Sequence, residues 1–135
     1  MQVIIKSMAK IKVGILRGGQ SSEYEISLKT GGAVIEALRL PESKYEPVDI
    51  LIDKTGLWHL SGAPTMPHKA FQTIDLVFNA MHGEYGEDGK VQQLMETYKM
   101  PYTGSDSLSS AMAMHKRLAR EVFEISGILT PPAVS

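Results

Sequence analysis

Two short stretches concentrate the side chains able to do chemistry. The denser is His82-Gly83-Glu84-Tyr85-Gly86-Glu87-Asp88-Gly89, which packs one imidazole, three carboxylates and three glycines into eight residues. Glycines let backbone approach a ligand closely, and a purely structural loop rarely needs this combination of imidazole and acids. A metal reading is available in principle, but the spacing matches no common zinc site and no second histidine stands nearby. Glu87 and Asp88 are expected to cap the following helix or anchor the loop. The second stretch, Arg17-Gly18-Gly19-Gln20-Ser21-Ser22-Glu23-Tyr24-Glu25, is less specific by itself. Gly18-Gly19 has neither the G-x-G-x-x-G spacing of a dinucleotide site nor the pattern of a P-loop. It fits a tight strand-to-helix turn equally well. Glu23 falls in the first helical turn, where a carboxylate complements the helix dipole whether or not it binds anything.

The elements that position these stretches can be read from periodicity. Lys10–Leu16 begins with alternation and ends apolar, like a strand entering a buried sheet. A helix is expected from about Ser22 to Arg39, with Ser22 and Glu25 at capping-box spacing and Ile26, Ala33, Val34, Ala37 and Leu38 on its apolar face. Pro41 stops it. Tyr45–Ile52 and Gly56–Leu60 read as a hairpin around Asp53-Lys54-Thr55-Gly56, with Trp58 as a packing residue. Ser61–Phe71, carrying Gly62, Pro64 and Pro67, reads as loop. Asp75–Ala80 is the most convincing buried strand. Helix is expected over Lys90–Lys99, with Val91, Leu94, Met95 and Tyr98 as its stripe, and one or two further helices between Ser107 and Ser126. This order points to an open α/β sheet, mostly parallel and flanked by helices, with both chemistry-bearing loops at the carboxyl ends of strands.

Bulk properties exclude several classes. With 135 residues, 43% apolar, 21% charged and a net charge of −1, the chain fits one compact domain. It has no basic stripe for nucleic acid or polybasic cluster for an anionic membrane. There is no cysteine, which excludes disulfides and thiolate metal sites. Val3–Ile5 is too short for a signal-peptide core, and no stretch approaches the ~18 apolar residues needed for a membrane span. The expectation is a soluble cytoplasmic protein.

The string Gly18-Gly19-Gln20-Ser21-Ser22-Glu23-Tyr24-Glu25-Ile26-Ser27 resembles the first signature of D-alanine–D-alanine ligases, and His82 to Gly89 resembles their H-G-x-x-G-E-D-G signature in full. Pro101-Tyr102-Thr103-Gly104-Ser105 is similar to the family's P-Y-T-G-S segment. Met114-His115-Lys116 falls where members carry M-D-K or M-N-K, and Gly127–Ser135 looks like the passage into their central domain. The likeness runs collinearly through Ile11–Ser135. It implies a Rossmann-like (pre-ATP-grasp) sheet in an N-terminal substrate-binding domain over 10–104, preceded by a tail over 1–9. The start of a central ATP-binding domain would follow over 105–135. It also implies ATP- and Mg²⁺-dependent ligation through an acyl phosphate, giving the D-alanyl-D-alanine of peptidoglycan. Glu23 matches the glutamate that binds the ammonium of the first D-alanine, and His82 a histidine of the same pocket. Ser27 and Gly83 join them as substrate-binding positions, and Lys116 matches a lysine that contacts ATP phosphates. No metal ligand is assigned, because the family's Mg²⁺-binding acids lie beyond Ser135. The chain by itself is therefore expected to be inactive and to hold neither ATP nor Mg²⁺. The resemblance also implies a homodimer. The competing readings are a stand-alone binding module of the same fold and a ligase of the D-alanine–D-lactate type.

Overall fold

A computed structural model describes residues 9–132. The expected tail over 1–9 lies almost wholly outside the described residues. Strands β1 (Ile11–Gly18), β2 (Tyr45–Ile52), β3 (Trp58–Leu60), β4 (Ala63–Thr65) and β5 (Leu76–Asn79) form one sheet in the order β4-β3-β2-β1-β5. Its centre, β2–β1–β5, is parallel, and β3 and β4 are an antiparallel edge. This is the open, mostly parallel α/β sheet that the sequence implies. The element order explains the parallel centre. Helix α1 (Tyr24–Leu38) carries the chain from β1 back to the start of β2, and a long return through α2 (Pro67–Phe71) brings β5 beside β1.

Both faces of the sheet are covered, so the central strand is apolar on both sides. Val13 and Ile15 of β1 pack with Ile35 and Ala80 beneath α1. Leu16 faces the other way, into a larger cluster with Ile50, Ile52, Trp58, Phe71, Val77, Val91 and Met95. That cluster lies under α2 and α3 (Lys90–Thr97), and the rings of Trp58 and Phe71 meet at right angles, 5.7 Å between centroids. Pro101–Gly104 adds a single parallel bridge, Val77 to Tyr102. Helices α4 (Ser107–Met114) and α5 (Lys116–Ile125) follow as two helices broken at His115, whose Nδ1 caps the second by accepting from the Leu118 amide.

Three local readings need correction. There is no capping box. Helix α1 starts at Tyr24 with Glu23 as its N-cap and no side-chain cap bond, because the Ser21 hydroxyl accepts from the Glu23 amide and draws that turn inward. The buried face of α1 is Ser27, Gly31 and Ile35, while Ile26 is 50% exposed and Ala33 and Ala37 face solvent. Finally, Ser61–Phe71 is not loop: it holds β4 and α2. Pro64 is tolerated because β4 is the outermost strand, and Pro67 because it opens a helix at a position whose N–H has no partner to lose.

Candidate functional site

Because β1 and β5 are parallel neighbours, their carboxyl ends share one edge, and the loops leaving them meet there. Gly18, at the end of β1, has φ +89°, and a Cβ there would stand 2.2 Å from the Ile52 carbonyl oxygen, so only glycine makes this turn. The turn is fixed from above by Ser27. Its fully buried hydroxyl accepts from the Gly18 amide at 2.8 Å and donates to the Ala80 carbonyl at 2.9 Å, joining α1 to both strands. Ser27 thus sits behind the loop junction, with its proton committed to backbone.

The two loops touch directly. The Ser21 hydroxyl donates to the His82 carbonyl at 2.8 Å. The Glu23 carboxylate lies against Gly83, its Oε2 only 2.7 Å from where a Cβ on that glycine would be. Among the described residues, that carboxylate has no hydrogen bond or ion pair, although Glu23 is half-buried. His82 is held on both sides. Nε2 lies 3.0 Å from Thr30 Oγ1 on α1, and Nδ1 lies 3.9 Å from Glu87 Oε1 in its own loop.

The β5–α3 loop is a hydrogen-bonded object in its own right. The Gly83 amide donates to Glu87 Oε2 at 3.0 Å, and the Glu87 amide returns to the Gly83 carbonyl at 2.9 Å. The Gly86 carbonyl accepts from Asn79 Nδ2 and Gln92 Nε2, at 2.9 and 2.8 Å. Lys90 Nζ bridges Glu84 and Asp88, each at 3.0 Å, and those two partners raise the lysine above its ordinary range. Burial opposes the Asp88 charge, but hydrogen bonds from the Tyr85 and Lys90 amides and from the Lys90 side chain hold its carboxyl below the usual range. Burial, with the Asp88 charge nearby, pushes the half-buried Tyr85 phenol up. Glu87 and Asp88 anchor the loop, while the N-cap of α3 is Gly89 without a side-chain cap. Beside the junction a cavity of about 360 Å³ is lined by Gln20, Ser21, Glu84, Tyr85 and Lys90.

The structure therefore brings together Glu23, His82 and Gly83, with Ser27 one layer behind them. Lys116 is elsewhere, at the start of α5, in a groove with Ala119, Arg120, Phe123 and Pro131. Among the described residues no three His, Asp or Glu side chains are grouped to hold a metal ion. Ser21, Thr30 and Asn79 are organisers of the site that composition does not single out. One signal was available: Glu23, Ser27 and Thr30 are spaced i, i+4, i+7, a polar stripe on one face of a helix.

Fold and site together define an open α/β domain whose polar site lies at the carboxyl edge of adjacent parallel strands. The family model described as D-ala D-ala ligase N-terminus matches residues 12–70 and 61–105. The D-alanine–D-alanine ligase of Pelotomaculum thermopropionicum is 42% identical over 122 residues, covering 90% of this chain and 35% of the relative. That of Aquifex aeolicus is 43% identical over 122 residues, covering 90% and 38%. Among solved structures, the D-alanine–D-alanine ligase of Coxiella burnetii superposes with TM-score 0.80 at 31% identity, over 93% of this chain and 47% of that one. The VanG D-Ala:D-Ser ligase of Enterococcus faecalis also reaches 0.80, at 28% identity, over 91% and 44%. The chain belongs to the D-alanine–D-alanine ligase family and corresponds to its N-terminal region. It spans about a third of the length of the curated relatives it matches.

Proposed function

We propose that this chain is the domain of an ATP-dependent D-alanine–D-alanine ligase that binds the first D-alanine. The observation that carries the reading is the half-buried carboxylate of Glu23, without a partner among the described residues, set against Gly83. A carboxylate without a partner in a partly desolvated corner is suited to a ligand cation, because its interaction strengthens as water leaves and no internal ion pair has to break. The ammonium of an amino acid is such a cation. Gly83 leaves room for that carboxylate, His82 matches the family histidine of the substrate pocket, and Ser27 holds both loops in register. In the whole reaction ATP phosphorylates the carboxylate of this D-alanine, releasing ADP. The amine of a second D-alanine then attacks the acyl carbon, and inorganic phosphate leaves. Among the described residues there is no cluster of acids for Mg²⁺, and we place Mg²⁺ and most of the ATP contacts in the further length that the relatives have. Lys116 is the one residue here proposed to meet ATP phosphates. The same reading makes the protein cytoplasmic, homodimeric, a contributor to peptidoglycan, and inactive as this segment alone. Among the described residues, no helix is long and apolar enough to cross a membrane.

The likeness to a D-Ala:D-Ser ligase at TM-score 0.80 favours a second reading of the second substrate only. This domain would then serve ligases that differ in their nucleophile, whether D-alanine, D-serine or D-lactate. The test is ADP release by the longest natural product carrying this chain, measured with each D-amino acid and with D-lactate. The expected result is turnover that requires D-alanine and a loss of about 100-fold in kcat/KM in Glu23→Gln, the scale of removing one charge from a buried pair. Turnover indifferent to D-alanine, or an unaffected Glu23→Gln, overturns the proposal.

A further inference from the structure

We infer that Thr30 is a positioning residue that sets the tautomer of His82. A threonine inside a helix ordinarily turns its hydroxyl back to the carbonyl four residues earlier. Thr97 of α3 does so, donating to the Gln93 carbonyl at 2.8 Å. Thr30 does not: its hydroxyl spans to His82 Nε2 at 3.0 Å, which leaves its proton available to that nitrogen. On the other side of the ring, Glu87 presents Oε1 to Nδ1 at 3.9 Å, and the Gly83 amide holds its other oxygen in place. A lone pair on Nδ1 would face a carboxylate and be repelled, whereas an N–H there is attracted. The neutral ring is therefore protonated at Nδ1, and Nε2 accepts from Thr30. Nε2 then accepts from Thr30, and the Nδ1 proton faces Glu87 across 3.9 Å rather than Glu23, so the Glu23 carboxylate stays available to a ligand cation.

The tautomer follows from geometry alone, while its consequence for substrate rests on the ligase reading above. Two measurements separate the two. The first is the pair of imidazole ¹⁵N shifts of His82 in this chain at about pH 9, where an ordinary histidine is neutral. The expected pattern is a protonated Nδ1 and an accepting Nε2 in the parent and in Thr30→Ser. Thr30→Val, which keeps the shape but has no hydroxyl, shows a mixture of tautomers. A parent protonated at Nε2, or a Thr30→Val spectrum identical to the parent, overturns the inference. The second is steady-state kinetics on the longest natural product. Thr30→Val raises KM for the first D-alanine about five- to tenfold, the scale of one hydrogen bond, with kcat little changed, and Thr30→Ser restores it. A purely structural role would lower kcat through the active fraction and leave KM alone, and that outcome also overturns the inference. If the longer protein ignores D-alanine, the ligase reading fails while the ¹⁵N result still decides the tautomer.

Discussion

The sheet with α1–α3 and the arm formed by α4 and α5 are both built from apolar and charged residues at helical or strand spacing, yet they differ in what covers their apolar sides. In the sheet region, Ile15, Leu16, Ile50, Val77, Val91 and Met95 are fully buried. In α5 no residue is buried, and Ile125 at its end and Leu129 beyond it are 88% and 98% exposed. The strongly amphipathic pattern KRLAREVFEI forms a helix, with Arg117–Glu121 and Arg120–Glu124 pairs at i, i+4 on its polar side, but among the described residues it finds no sheet to lie on. Amphipathicity thus marks which face of a helix is to be covered, and only a partner surface covers it.

The largest test of this contrast compares one truncation in each region. Ile50→Ala, in the larger core, is expected to lower unfolding stability by about 2–5 kcal/mol in urea denaturation, while Phe123→Ala on α5 stays within about 0.5 kcal/mol. Comparable losses would mean that the arm is packed in solution. Next is the staple behind the site. Ser27→Ala leaves the Gly18 amide and the Ala80 carbonyl short of a partner in a dry place and is expected to cost about 1–3 kcal/mol. The same change made at exposed Ser22 should be silent in the same denaturation series.

The smallest effect concerns the joint between the two regions. Glu96 of α3 accepts from the Tyr102 hydroxyl at 2.7 Å and from the Ser107 amide and hydroxyl at 2.8 and 2.6 Å, tying the last bridge of the sheet to the first turn of α4. The Ser107 side chain and the Tyr102 hydroxyl lower the Glu96 carboxyl below its ordinary 4.5. A carboxylate whose pKa falls on folding contributes above its unfolded value, and the contribution disappears as pH drops from 4.5 through the lowered one. Burial and the Glu96 bond push Tyr102 up to about 12 from 10.0, so its contribution is complete below pH 10 and disappears as pH rises toward 12. Acid titration followed at the Ser107 amide by NMR should show the joint opening below pH 4.5. Tyrosinate absorbance should show a transition near 12 that Glu96→Gln moves back toward 10. A Ser107 amide that is flat in acid, or a Tyr102 that titrates with the other tyrosines, would mean that the joint is not held this way.

Much of this arrangement was legible beforehand, for reasons particular residues make clear. Tyr45–Ile52 and the Asp53–Gly56 turn were readable because a period-two run and a turn with Asp53 accepting from the Thr55 and Leu57 amides are local chemistry. The loop His82–Gly89 stood out because few structural loops need its composition. The buried face of α1 was not readable, because hydrophobicity favours Ile26 while contact distance favours Ser27 and Gly31. The helix lies so close to β1 that a Cβ on Gly31 would meet Arg17 Cδ at 2.7 Å, and larger residues are turned outward.

The sequence by itself determined the strands other than β4, the two glycine-bearing loops, the family and the residue types available for chemistry, since all of these follow from local periodicity, turn residues and collinear motifs. The tertiary structure decided what those residues do to one another. Only the pairing of β5 beside β1 puts the Glu23 carboxylate against Gly83, and only the height of α1 above the sheet places Thr30 at His82 and Ser27 between Gly18 and Ala80. The contacts of Thr30 with His82 and of Ser27 with Ala80 join segments more than fifty residues apart, and sheet order and packing distance set them.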